Sequence, residues 1–243
     1  MNQSEGSSTV GQVTTTLERM TDLTPPSDEA NYVLSYKGLR KAIGIIGIAL
    51  PIGLLIGKPL VDGGSMLGSI SAYYYTGMRN YFVGIMCALA VFFFSYRYAP
   101  RDNFLSTLTS IFALGVAFFP TSPRGPDRTW TEWLHFTCAV LFFLTLAYFA
   151  YFIFTLPPLP KEKQEPRKRL RNKIYRICGI TIVVSLLLSP ILDRVLSAAV
   201  RAVIHPLFWL ESIAVWAFSF SWLVKGGFLP FLQDPEPPSH AKQ

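Results

Sequence analysis

Charge is what this sequence has least of. Only 15% of its 243 residues are Asp, Glu, Lys or Arg, whereas an ordinary soluble domain carries about 25%, so water is not its main solvent. Cysteine is equally sparse. Cys87, Cys138 and Cys178 lie far apart inside apolar stretches with no C-x-x-C spacing, which excludes a disulfide framework and a zinc knuckle. The sequence has no P-loop, nucleophile elbow or H-E-x-x-H pattern to carry phosphoryl transfer, acyl transfer or zinc hydrolysis. Its first residues lack a basic segment followed by an apolar run, so no cleavable signal peptide is expected.

What is present is apolar: 51% of the residues are hydrophobic, and the mean hydropathy is positive. The charges cluster and leave apolar stretches of about 16 to 25 residues, the length that crosses a hydrocarbon core roughly 30 Å thick. Six such stretches run over Leu39 to Ile56, Tyr81 to Tyr96, Phe104 to Phe119, Glu132 to Leu156, Ile174 to Leu192, and Leu207 to Val224. They predict an all-α fold, a polytopic membrane helix bundle of six transmembrane helices over residues 37–228. Residues 1–36 and 229–243 hold too little apolar surface to fold alone and are expected to be mobile cytosolic tails, the first with room for a short helix over Thr16 to Met20.

Local signals refine this layout. Pro51 removes a backbone hydrogen bond from the first span and predicts a kink, while Gly53 and Gly57 have the spacing of a small-residue packing seam. Asp102 reads as the cap of the third helix. Between spans five and six, Val195, Leu196, Ala199, Val203 and Ile204 recur at helical spacing and predict a short interfacial helix.

Positively charged loops stay on the cytoplasmic side. An N-in, C-in arrangement places 16 of the 22 Lys and Arg residues inside and 6 outside. The loop run Lys161, Lys163, Arg167, Lys168, Arg169, Arg171, Lys173 and Arg176 supplies eight of them. Such a run fixes topology and is drawn to anionic lipid. No aromatic residues interleave these charges, so no nucleic acid partner is expected. Binding of an anionic cytosolic ligand is the alternative reading.

With this orientation the unusual polar residues fall on the outward side. The first outer loop holds Ser69, Ser71, Tyr75 and Arg79, and is apolar enough to fold back into the mouth of the bundle. Its plain alternative is an interfacial loop with a tyrosine belt. Glu132 and His135 share one helix face, an arrangement that can offer two metal ligands but more often makes a hydrogen bond between neighbours. His205 precedes span six, and Glu211 stands about one and a half turns into it. An unpaired carboxylate at that depth is costly. Glu211 is therefore expected to be protonated, hydrated, or paired with Arg79, Arg128 or His135, either as a functional group or as an ion pair that fixes span six.

Ser69, Ser71, Tyr75, Arg79, His135, His205 and Glu211 are the ligand-binding candidates, imagined as converging at the outer mouth on a lipid headgroup or small anion. Glu132, His135 and Glu211 are the weaker candidates for a metal, and no cofactor is expected. Membrane lipids are the expected partners, and a second copy of the chain is compatible with this layout.

The segments from Ser69 to Gly84, from Asn172 to Gly179 and from Phe208 to Trp216 resemble those of uncharacterised bacterial multi-pass membrane proteins, which implies the cell membrane, the inner one of a bacterium. The layout is also remotely similar to the DRAM-like six-pass membrane proteins, some of them linked to membrane-lipid handling. Shared features are a Ser- and Gly-bearing first outer loop, His135 early in span four, and Glu211 with Trp216 in span six. The Ser-Asp-Thr-Gly and Pro-Glu elements of that family are replaced here by Ser69 to Ala72 and Met78 to Asn80. Seven-pass zinc hydrolases with three histidine ligands offer a further comparison. His135 and His205 would meet that pattern only if Glu132, Glu211 or Asp193 replaced a ligand. The leading expectation is thus a non-enzymatic lipid-binding, lipid-organising or transport protein. A membrane-embedded hydrolase or transferase and a structural or sensory anchor stand as alternatives.

Overall fold

The computed structural model describes residues 29–121, 129–156 and 166–233, and no strand occurs among them. The chain divides into two compact units, Met1–Ser35 and Tyr36–Gln243. Of the first, only the helical backbone of residues 29–35 is described; the second carries the helical bundle. The helix expected over Thr16 to Met20 lies outside the described residues.

Helix α1, Glu29–Val61, is 33 residues long, about 50 Å at 1.5 Å per residue, and begins well before the expected start at Leu39. It runs on through Pro51 and Pro59. Helices α2, Arg79–Ser95, and α3, Pro100–Phe118, are joined by a tight turn. Helix α4, Trp130–Tyr148, continues as a π-helical turn over Phe149–Ile153. Helix α5, Pro166–Val195, starts earlier than expected, so residues 167–176 of the basic run are helical rather than loop. The short α6, Ala198–Ile204, occupies the place of the expected interfacial helix and buries none of its residues. Helix α7, Pro206–Lys225, closes the series.

Asp102 does not cap α3. Ala99 is the N-cap, Pro100 takes the first turn, and Asp102 is a first-turn acid, 5% exposed. Proline suits that place because the N–H it lacks would have had no helical partner, and an acid in the first turn complements the helix dipole.

Packing joins α2 to α3, α3 to α4, α4 to α5 and α5 to α7. Helix α1 closes the ring. Gly44 and Gly47 face Leu223, Ser219 and Phe218 of α7, where a β-carbon would collide, so two backbones approach as only small residues permit. Gly53 and Gly57 are a seam of another kind. They receive side chains, Tyr81 and Met78, and the Tyr81 hydroxyl donates to the Ala49 carbonyl at 2.6 Å.

The two ends of the ring are filled differently. Toward the α2–α3 turn an aromatic cluster fills the interior, with Trp222 fully buried among Phe93, Tyr96, Phe149 and Phe154 at ring-centroid distances of 5.1 to 5.4 Å. Toward the opposite end, where α1 passes into the loop before α2, the interior opens into a cavity.

The outer surface of the ring is apolar. Ile45, Ile56, Val91, Phe94, Ile111, Phe118, Ile177 and Leu187 are each more than half exposed, an apolar periphery that water does not favour. Four helical segments, Tyr36–Val61, Trp130–Ile153, Arg167–Val195 and Pro206–Lys225, are long and apolar enough to cross a membrane. Arg79–Ser95 and Asp102–Phe118 are apolar but shorter.

Candidate functional site

The cavity begins with the way the first loop is held. Helix α7 has no side-chain cap at His205, so the N–H groups of its first turn need other acceptors. The Gly68 carbonyl meets that need by accepting from Phe208 N–H at 2.9 Å. Two residues further along the loop, Ile70 N–H donates to Glu211 Oε2 at 2.6 Å. The loop is thereby fastened to α7 at two points. Its next residues form the 3-10 turn Ser71–Tyr75, and fully buried Tyr73 anchors that turn by accepting from Leu67 N–H at 3.3 Å. Burial pushes the Tyr73 phenol above its ordinary pKa, so this acceptor stays neutral. Protein groups thus satisfy several backbone polar groups of this irregular segment.

Below this loop lies a small cavity of about 50 Å3, room for a chain end or a few water-sized groups rather than for a whole small molecule. Its polar lining comes from three segments: Ser71 from the 3-10 turn, His135 from α4 and Glu211 from α7. The remaining wall is apolar and includes Leu50, Phe82, Met86, Phe142 and Phe218. Ser69 stands beside Ser71, its Oγ 3.3 Å from Ser71 Oγ and accepting from Ala72 N–H at 3.2 Å.

The chemistry of this lining is that of acceptors. His135 is 3% exposed and its Nδ1 lies 2.7 Å from the Phe119 carbonyl. A carbonyl only accepts, so Nδ1 carries the proton, and in the neutral ring Nε2 is an acceptor. Glu211 spends Oε2 on Ile70 and retains Oε1. Among the described residues, no lysine or arginine lines the cavity.

The other sequence candidates lie elsewhere. Exposed Arg79 folds onto Tyr74, with Nη2 donating to the Tyr74 hydroxyl at 2.6 Å and its guanidinium carbon 4.3 Å from the ring centroid. Tyr75 is also exposed and donates to the Thr121 carbonyl. Its phenol is raised by burial first and then by the charges of Tyr74 and Glu132, while Arg79 acts in the opposite direction. His205 forms the joint between α6 and α7. It is the one non-glycine residue at positive φ among the described residues, and its Nδ1 is buried without a partner. Glu132 takes its place in the first turn of α4, where its N–H donates to Thr129. No three His, Cys, Asp or Glu residues among those described are grouped to hold a metal ion, so Glu132, His135 and Glu211 do not form the ligand set considered from the sequence. Arg128, considered as a partner for Glu211, lies outside the described residues.

Sequence reasoning missed the apolar wall of the cavity. Phe142 and Phe143 sit in an aromatic-rich stretch that reads equally well as lipid-facing, and no local signal separates the two. It also missed buried Arg40, which looked like one more charge fixing topology.

The site is thus a small, mainly apolar chamber with three polar groups in its lining, and the described residues are all-helical and include four helices long and apolar enough to cross a membrane. That is the class the fold defines: a helical membrane protein. Comparison with family models, with curated proteins and with solved structures finds no match to this chain.

Proposed function

We propose that this protein crosses the cell membrane six times with both termini inside, and binds part of a lipid or similar amphiphile in the small chamber beneath the first loop. One observation carries the reading. Ser71, His135 and Glu211 come from three separate segments and line a single cavity whose other walls are apolar. The end of an apolar chain suits those walls, and a group that donates hydrogen bonds, a hydroxyl or an amine, suits the polar lining. A purely anionic head is the poorer fit, since among the described residues no arginine or lysine lines the chamber.

Six spans fit the up-and-down ring, in which α2 and the apolar part of α3 are short. At 17 residues, Arg79–Ser95 stands at the lower limit of about 17 residues for a spanning helix. The charge bias between loops supports the N-in, C-in orientation, which puts the chamber at the extracytoplasmic mouth. The test is lipid analysis of protein purified in detergent. Wild type should carry a bound amphiphile that Glu211→Gln and His135→Ala lose, and unchanged bound lipid in both variants would refute the assignment.

A second reading has one observation in its favour: a serine, a histidine and a carboxylate line the same chamber, the residue types of a hydrolase or transferase. Labelling of Ser71 by a fluorophosphonate, abolished in His135→Ala, would support it. A wild-type protein inert to the reagent would count against it.

A further inference from the structure

The first loop begins and ends at one place. Asp62, just past the end of α1, accepts from Gly77 N–H through Oδ2 at 2.8 Å. Lys58 joins the same clasp, 3.6 Å from the Asp62 carboxylate and donating to the Gly63 carbonyl at 2.8 Å. Position 77 takes glycine because a β-carbon there would collide with Asp62 and Val61. A loop of this length with its ends clasped together is an Ω-loop, a form that frequently serves function.

Its two halves are held unequally. The second half is knit to α2 and α7: fully buried Tyr73 packs on Phe208 with ring centroids 5.9 Å apart, Thr76 Oγ1 donates to the Tyr73 carbonyl at 2.8 Å, and Arg79 N–H donates to the Thr76 carbonyl at 3.0 Å. The first half, residues 63–70, starts at Gly63 and Gly64, whose φ angles are 68° and 79° and where a β-carbon would meet open space. Two consecutive glycines at positive φ with nothing packed on them give the backbone freedom to rotate. The far end of this half is latched to α7, the Gly68 carbonyl accepting from Phe208 N–H and Ile70 N–H donating to Glu211. A longer bond of 3.3 Å ties Leu67 N–H to the Tyr73 hydroxyl.

This half covers the chamber. Ile70, 6% exposed, lines it, and Met66 and Leu67 pack on the core, while Gly63, Gly64, Ser65 and Gly68 face outward. Apart from Ile70 and Ser71, the lining residues belong to helices. A chamber of about 50 Å3 has room for a chain end, so an amphiphile reaches its polar groups when a wall gives way, and residues 63–70 are the wall with a hinge. We propose that residues 63–70 form a lid, hinged at Gly63 and Gly64 and latched to α7 through Gly68 and Ile70, whose opening admits the amphiphile. The lid rests on the reading that the chamber binds part of a lipid. Opening swings Met66, Leu67 and Ile70 off the chamber while Tyr73 stays in place.

Gly64→Val tests the hinge, since a β-branched residue is strained at positive φ although nothing stands near enough to clash. Strain that opening relieves should raise the open population about ten-fold. Hydrogen–deuterium exchange of the full chain in phosphatidylcholine nanodiscs reads the opening. The peptide spanning Leu67–Ile70 should exchange about ten-fold faster than in wild type, and Tyr73–Arg79 should not change. In parallel, a photoactivatable long-chain alcohol is added to both proteins, and the time course of its crosslinking to Phe142 and Val215 reads entry, which should quicken by a similar factor. Gly64→Ala gives the same readouts with smaller shifts should Gly64→Val fail to fold. Unchanged exchange at Leu67–Ile70, or equal acceleration at Tyr73–Arg79, would overturn the lid. Chamber crosslinks forming at the same rate in both proteins would also overturn it and leave the chamber as a binding site. Absence of chamber crosslinks from wild type would remove the binding reading, and the lid with it.

Discussion

Glu211 and Ile70 are 141 positions apart and are joined by one hydrogen bond, in which Oε2 accepts from the backbone N–H at 2.6 Å. The bond fastens the first loop over the chamber, and it makes Glu211 both a structural group and a lining group. The two roles separate by substitution. Glu211→Gln keeps an acceptor for Ile70 and should leave thermal stability close to wild type while altering what the chamber binds. Glu211→Ala leaves that N–H buried without a partner and should cost about 1–3 kcal/mol. Unfolding curves of the two variants in the same detergent check this, and equal losses would contradict it.

Filling the chamber should act without touching any polar group. Ala139 lines it, so Ala139→Leu occupies ligand space. Bound amphiphile should fall while the fold persists, with a stability change within about 1–3 kcal/mol, the range of an added side chain in a core. Lipid analysis beside a melting curve measures both. Full retention of ligand would place it elsewhere.

The α1–α7 contact predicts a sharp contrast between glycines. Gly47→Val drives a side chain into Ser219 and Phe218, whereas Gly38 has open space where a β-carbon would stand. The first substitution should destabilise by about 1–3 kcal/mol or more, and Gly38→Ala should be neutral or better. Comparable unfolding temperatures for both would argue against the close helix approach.

Arg79 was one of the cations that the sequence offered to Glu211, and the structure instead lays it on Tyr74 at the surface. Arg79→Gln should therefore cost no more than about 1 kcal/mol, the worth of an exposed cation–π contact, and leave the chamber's ligand unchanged. Loss of that ligand in lipid analysis would return Arg79 to the site.

This contrast marks what the sequence could disclose. Helix positions were legible because apolar length and charge clustering act over whole segments. Glu211 stood out because a carboxylate at its depth in span six is costly to bury, His135 because it shares a helix face with Glu132, and Ser71 because it lies in the hydroxyl-rich first outer loop. The direction of Arg79 was not legible, since a long exposed side chain can turn toward several partners and only the loop fold decides among them. The chamber wall was hidden for a different reason. In a membrane protein Phe142, which faces inward, and Leu144, 42% exposed, are equally apolar, so composition does not tell interior from periphery. Arg40 was concealed among other basic residues by the same kind of degeneracy. The early start of α5 went unseen because its first turns are basic and helical at once, and hydropathy registers only the charge.

Occupancy of the chamber can be read directly. A photoactivatable lipid analogue, irradiated with the wild-type protein in nanodiscs and mapped by peptide mass spectrometry, should crosslink to the chamber residues Phe142, Phe143 and Val215, and Ala139→Leu should suppress those crosslinks. Crosslinks confined to the exposed periphery at Ile45, Phe94 and Ile177, unchanged by Ala139→Leu, would show that lipid surrounds this protein without entering it.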